Sequence, residues 1–153
     1  MSEVKTILKW FQDAKPNPTI EDACVQIGCG YEETAERARE LGDTLVGFES
    51  HGVAFEYKSK NKEYLNGIKS LSDKSKTELL DSQCDEIVTR IGEAYMLGFD
   101  IIGALNEVIA SNDSKRMPDG SFPLDENGKI TKESPNFFSP DLSKFINKVG
   151  NEQ

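Results

Sequence analysis

Apolar residues recur at steps of three and four along most of this chain, a spacing that commits it to helices packed through one face. The clearest run is Thr77 to Leu97, where Leu80, Cys84, Ile87, Ile91, Ala94 and Gly98 form one stripe, with Val88 and Tyr95 beside it. Val4, Ile7, Leu8 and Phe11 make a first, shorter stripe that stops before Pro16 and Pro18. Thr19 is placed to cap a second helix, with Ile20, Cys24, Ile27, Tyr31, Ala35, Ala38 and Leu41 on its apolar side.

Elsewhere the pattern is weaker. Gly47, Gly52 and Gly67 interrupt residues 42–76, which read as an irregular link followed by a helical stretch near Val53 to Leu71. Asp100 can cap another helix from Ile101 to about Ser111, with Ile102, Leu105, Val108 and Ile109 inward. Beyond Asn112, turn signals at Pro118-Asp119-Gly120 and Asn127-Gly128 leave room for short strands around 122–124 and 129–131, as a small hairpin. A last short helix is expected from Pro140 to Val149. The predicted fold is all-α, a bundle of four to five helices with an irregular C-terminal tail, in a single domain spanning all 153 residues.

Charge narrows the function. With 27 acidic residues against 18 Lys and Arg, the net charge of −9 repels a nucleic-acid backbone, so no nucleic-acid partner is expected. An anionic small molecule can bind where a metal ion supplies positive charge. The N-terminus lacks the basic and apolar segments of a secretory signal, and no stretch approaches about 20 apolar residues, so a cytoplasmic protein without a membrane partner is expected. Cys24, Cys29 and Cys84 form no C-x-x-C pair and His51 is the single histidine, which points to reduced, mostly buried thiols.

Acidic residues supply the chemistry. Glu32, Glu33 and Glu36 form E-E-x-x-E on the second helix, and Glu78, Asp81 and Asp85 align at i, i+3 and i+7 on the later one. On a helical wheel Glu32 and Glu36 lie roughly 100° and 140° from Tyr31, and Asp81 and Asp85 lie roughly 100° and 140° from Leu80. Both rows therefore flank an apolar stripe. Helices packed through those stripes would bring like charges together, a situation a divalent cation relieves. Oxygen-only donors favour Mg²⁺, with Mn²⁺ as the alternative, over zinc, copper or iron. Solvated acidic faces paired with Arg37, Arg39 and Arg90 are the plainer reading of the same residues.

The order of Glu32-Glu33-Thr34-Ala35-Glu36, Glu78-Leu79-Leu80-Asp81 and Ser111-Asn112-Asp113-Ser114-Lys115 resembles the all-α NTP pyrophosphohydrolase superfamily. That group includes MazG-type enzymes, dimeric dUTPases and phosphoribosyl-ATP pyrophosphohydrolase. The tail residues Asp119-Gly120, Asn127-Gly128-Lys129 and Phe137-Phe138-Ser139-Pro140-Asp141 are similar to the ending of MazG-like members, and the likeness covers about residues 20–145. The gap from Glu36 to Glu78 is longer than the family's.

The resemblance implies a nucleotide-pool enzyme that cleaves an NTP or dNTP between the α- and β-phosphates, giving a monophosphate and pyrophosphate. It implies Glu33, Glu36, Glu78 and Asp81 as metal ligands, Asp85 as a second-tier one, and Glu32 as the catalytic base or a ligand to a further metal. Asn112 and Lys115 are implied to reach the nucleotide, with Lys129 as a further phosphate contact. It also implies a homodimer or homotetramer. The rival expectation is a non-catalytic acidic helical module that binds a protein partner, with an exposed apolar patch in residues 53–71. Trp10, beside Phe11, is expected to pack, and His51 to lie in a surface loop.

Overall fold

The computed structural model describes residues 1–146 and is all-helical. Six α-helices follow in order: α1 Glu3–Ala14, α2 Ile20–Glu40, α3 Thr44–Lys58, α4 Lys62–Lys69, α5 Asp73–Met96 and α6 Ile101–Asp113. A 3₁₀ turn, Ser143–Phe145, comes last, and the part of the expected C-terminal helix beyond it lies outside the described residues. The chain gathers into two compact units. One comprises Met1–Pro16, Ser72–Pro123 and Thr131–Gln153, and the other Asn17–Leu71 and Leu124–Ile130.

In the second unit, α2 opens with a capping box. The Thr19 hydroxyl accepts from the Asp22 backbone N–H, and the Asp22 carboxylate accepts from that of Thr19. Cys24, Gly28, Ala35 and Ala38 are the buried residues that bring α3 close. A Cβ on Gly28 would lie 2.6 Å from Lys58 Cγ and 2.9 Å from the Ala54 carbonyl oxygen, and one on Gly47 would lie 3.0 Å from Arg39 Cγ. These contacts run in opposite chain directions, so α2 and α3 form a close antiparallel pair. The irregular link expected before Val53 is thus a correction. Helix α3 starts at Thr44 behind the cap of Asp43, and Gly47 serves helix contact rather than interruption. Tyr57 stacks on Tyr31 with centroids 5.6 Å apart and meets the edge of Tyr64 on α4 at 4.6 Å.

In the first unit, α1 packs on α6, where Trp10 Nε1 donates to the Asn112 carbonyl at 3.1 Å. The tail is tied to α6. Ser111 Oγ donates to the Phe138 carbonyl, Lys144 pairs with Glu107 at 3.3 Å, and the Asp100 N–H donates to the Phe145 carbonyl. The helix α5 differs from all of these. It starts four residues earlier than the spacing predicts, behind the Ser72 cap, and every residue from 73 to 91 is exposed. Of its apolar stripe only Ala94, near the junction with α6, is buried. Cys84 on that stripe is exposed too, so of the three free thiols only Cys24 is fully buried.

The expected hairpin is reduced to a single antiparallel bridge between Leu124 and Ile130. The Asp125 carboxylate accepts from the backbone N–H groups of Asn127 and Lys129, and two backbone hydrogen bonds, Asp125 N–H to the Lys129 carbonyl and Gly128 N–H to the Asp125 carbonyl, close the same turn. Among the described residues there is no strand, and no single helix is long and apolar enough to cross a membrane.

Candidate functional site

The acidic motif of α2 contains a carboxylate shared by two lysines. Glu32 faces the last turn of α3, and its Oε1 accepts from Lys58 Nζ at 2.8 Å. Its Oε2 accepts from Lys129 Nζ at 3.0 Å. The Asp125 turn fixes the backbone of Lys129, which is how a residue 97 positions away reaches helix α2. Burial pushes the Glu32 carboxyl up, but hydrogen bonds and charge from Lys58 and Lys129 outweigh it and hold the group below its ordinary value. Lys129 responds in the opposite sense. Burial lowers it, Glu32 more than compensates, and the ammonium is held above its usual range. One turn back on α2, half-buried Cys29 is raised by burial, against the pull of the same two lysines.

Two of the residues expected at the site, Glu32 and Lys129, are therefore in direct contact. Lys58 is a third participant that sequence reasoning missed. The only available signal was a lysine closing a helix whose register against α2 could not be known. Glu33 and Glu36 lie on the exposed side of α2.

On α5, Glu78, Asp81 and Asp85 are all exposed. They make no ion pair among the described residues. Arg90 is engaged with Glu93 at 3.0 Å and Lys76 lies 3.9 Å from Asp73, while Lys74, the third cation of this helix, makes no ion pair among the described residues. The two acidic rows belong to different units. Among the described residues no group of three or more His, Cys, Asp or Glu side chains is gathered as a metal-holding set.

The S-N-x-x-K motif closes α6. Its two serines hold the tail, since Ser114 Oγ donates to the Ser111 carbonyl and accepts from the Phe138 N–H. Its other two named residues meet each other, with Lys115 Nζ donating to Asn112 Oδ1 at 2.7 Å. Lys115 Nζ also stands 5.9 Å from the ring centroid of Trp10. Ile7, Trp10, Phe11, Ile109 and Asn112 line a small cleft of about 60 Å³. Trp10 packs as expected, edge-on to Phe11 and Phe122, but it also faces this cleft.

No protein-family model matches the chain, and neither a curated protein nor a solved structure matches it. The resemblance therefore rests on the motifs and their order.

Proposed function

We propose that the chain is a Mg²⁺-dependent nucleoside triphosphate pyrophosphohydrolase, acting on an NTP or dNTP to release the monophosphate and pyrophosphate. The observation that carries this reading is the acidic row of α5. Glu78, Asp81 and Asp85 share one side of this helix, are exposed, and make no ion pair among the described residues. Like charges at that spacing repel, and a divalent cation relieves the repulsion.

The donor chemistry fits Mg²⁺, because all five proposed ligands, Glu33, Glu36, Glu78, Asp81 and Asp85, are carboxylates; Mn²⁺ suits the same donors. When bound, the ion supplies positive charge for the phosphate oxygens, which a chain of net charge −9 otherwise lacks. Glu32 is the proposed base. Its two lysines keep it ionised, and accepting a proton requires one of them to leave. Lys129 is the natural one to go, because a phosphate competes with Glu32 for its ammonium. Asn112 and Lys115 contact the nucleotide.

The exposed stripe of α5 supports a homodimer or homotetramer in which a second copy covers Leu80, Ile87 and Ile91. It equally favours the second reading, a non-catalytic module docking a different protein. The patch that reading called for in residues 53–71 is reduced to Phe55 among the large apolar side chains, and the main exposure is on α5.

Incubation with a panel of NTPs and dNTPs, with Mg²⁺ or with EDTA, separates the two. Monophosphate and pyrophosphate are expected with metal only, and Glu36→Ala or Asp81→Ala is expected to lower turnover at least about 100-fold with helicity unchanged. A folded protein that turns over none of the panel overturns the enzyme.

A further inference from the structure

We infer that the exposed face of α5 pairs with the same face of a second copy of this chain, the two helices lying parallel. The pairing rests on the proposed homo-oligomer and adds to it the face used, its direction and the contacts that set that direction. It does not depend on the nucleotide chemistry. Thr77, Leu80, Cys84, Ile87 and Ile91 follow one another at steps of three and four, the repeat of a helix that packs along another helix, and all five are exposed. Ala94, the next in the series, is already buried near the junction with α6. The free seam therefore runs from Thr77 to Ile91, about 21 Å along the helix.

Charge selects both the occupant and the direction. On a helical wheel centred on Cys84, Asp81, Asp85 and Glu78 lie roughly 60°, 100° and 120° to one side, and Lys76 and Arg90 roughly 80° and 120° to the other. Lys74, on the acidic side, is the exception. The seam thus has one mainly acidic and one basic flank, which makes it complementary to itself. A copy rotated by a two-fold axis along the helices presents its acidic flank to the basic flank of the first. A copy turned end over end sets acidic against acidic. In the parallel pair Lys76 meets Asp81 of the second copy and Arg90 meets the ring of its Tyr95, which is 70% exposed, and the symmetry makes each contact twice. Glu78 and Asp85, further round, stay at the rim.

Crosslinking through introduced thiols reads the direction in the full chain. In a Cys84→Ser parent, Thr77→Cys treated with a short bismaleimide is expected to give a covalent dimer, because parallel helices bring the two thiols face to face. The parent, which keeps Cys24 and Cys29, should not. Antiparallel helices hold the same thiols roughly 20 Å apart and instead join Thr77→Cys to Ile91→Cys when the two variants are mixed. Lys76→Glu should weaken the dimer about tenfold in sedimentation equilibrium, and Lys76→Glu combined with Asp81→Lys should restore it. Circular dichroism confirms that each variant folds, and should Thr77→Cys not fold, the charge exchange decides. An oligomer that gives no Thr77→Cys crosslink or only the mixed one, or equal dimer affinity in Lys76→Glu and wild type, overturns the parallel pair and leaves the homo-oligomer standing. A wild type that stays monomeric at high micromolar concentration overturns both. Neither result bears on the enzyme, which turnover decides separately.

Discussion

Along α2, Cys24, Ala35 and Ala38 keep 0–3% of their surface exposed, whereas along α5 Leu80, Ile87 and Val88 keep 62%, 53% and 65%. Both helices carry apolar residues at the same three- and four-residue spacing. The difference lies in what can approach them. Small residues on α2 let the backbone of α3 come within van der Waals range at Gly28 and Gly47, so the stripe is closed locally. The α5 stripe is built from large side chains, and among the helices only α6 touches it, near its C-terminal end. A periodic stripe thus identifies the apolar face of a helix, while side-chain size and chain connectivity decide whether the same chain covers it.

The largest expected effect comes from making the α5 face polar. If a second copy covers it, Leu80→Lys with Ile87→Lys removes two apolar contacts from each of two copies. At about 1.5 kcal/mol or more per side chain, that is roughly 6 kcal/mol, about four powers of ten in the dissociation constant. Light scattering after size exclusion should show the wild type as a dimer or tetramer and the double variant as a monomer at micromolar concentration. A monomeric wild type would end the homo-oligomer and leave α5 to a different partner.

The packed side of the comparison can be probed at two glycines of one helix. Gly28→Leu forces a side chain against the Ala54 carbonyl and Lys58, and overpacking of this kind should cost about 3 kcal/mol. Gly30 has no atom within 4 Å of where a Cβ would sit, so Gly30→Ala should stabilise α2 by about 0.5–1 kcal/mol. Urea unfolding followed by helical circular dichroism checks both. Similar midpoints for the two variants would mean that α2 and α3 are not held as closely as the structure has them.

These contrasts show what was legible in the sequence. The existence and apolar faces of α1, α2, α5 and α6 follow from periodicity, and Thr19 and Asp100 cap as their residue types predict. The first half of α3 was not legible, because Gly47 and Gly52 lower helix propensity and only the neighbouring helix shows that Gly47 marks a close approach. The neighbours of Asn112 were half legible. Its position near the end of α6 was visible, but its place beside Trp10 depends on how α1 lies on α6, a long-range fact without a local signal. The bridge of Glu32 to Lys58 and Lys129 is of the same kind, joining residues 26 and 97 positions apart.

That bridge also gives the smallest and most specific effect. Its side chains are 25–41% exposed, so solvent screens the pairing, and Lys129→Met should cost under about 1 kcal/mol at neutral pH. The pH dependence identifies its source. The folded Glu32 carboxyl lies below its ordinary 4.5, so its contribution is fully present above that value and fades as pH falls through the folded value. Lys129 lies above its ordinary 10.5, so its contribution is fully present below that value and fades as pH rises through the folded one. The stability gap between wild type and Lys129→Met should therefore be flat between about pH 5.5 and 9.5 and close in stronger acid. A gap that persists once Glu32 is protonated would trace to the packing of the lysine stem on α2, leaving Glu32 held by Lys58 alone.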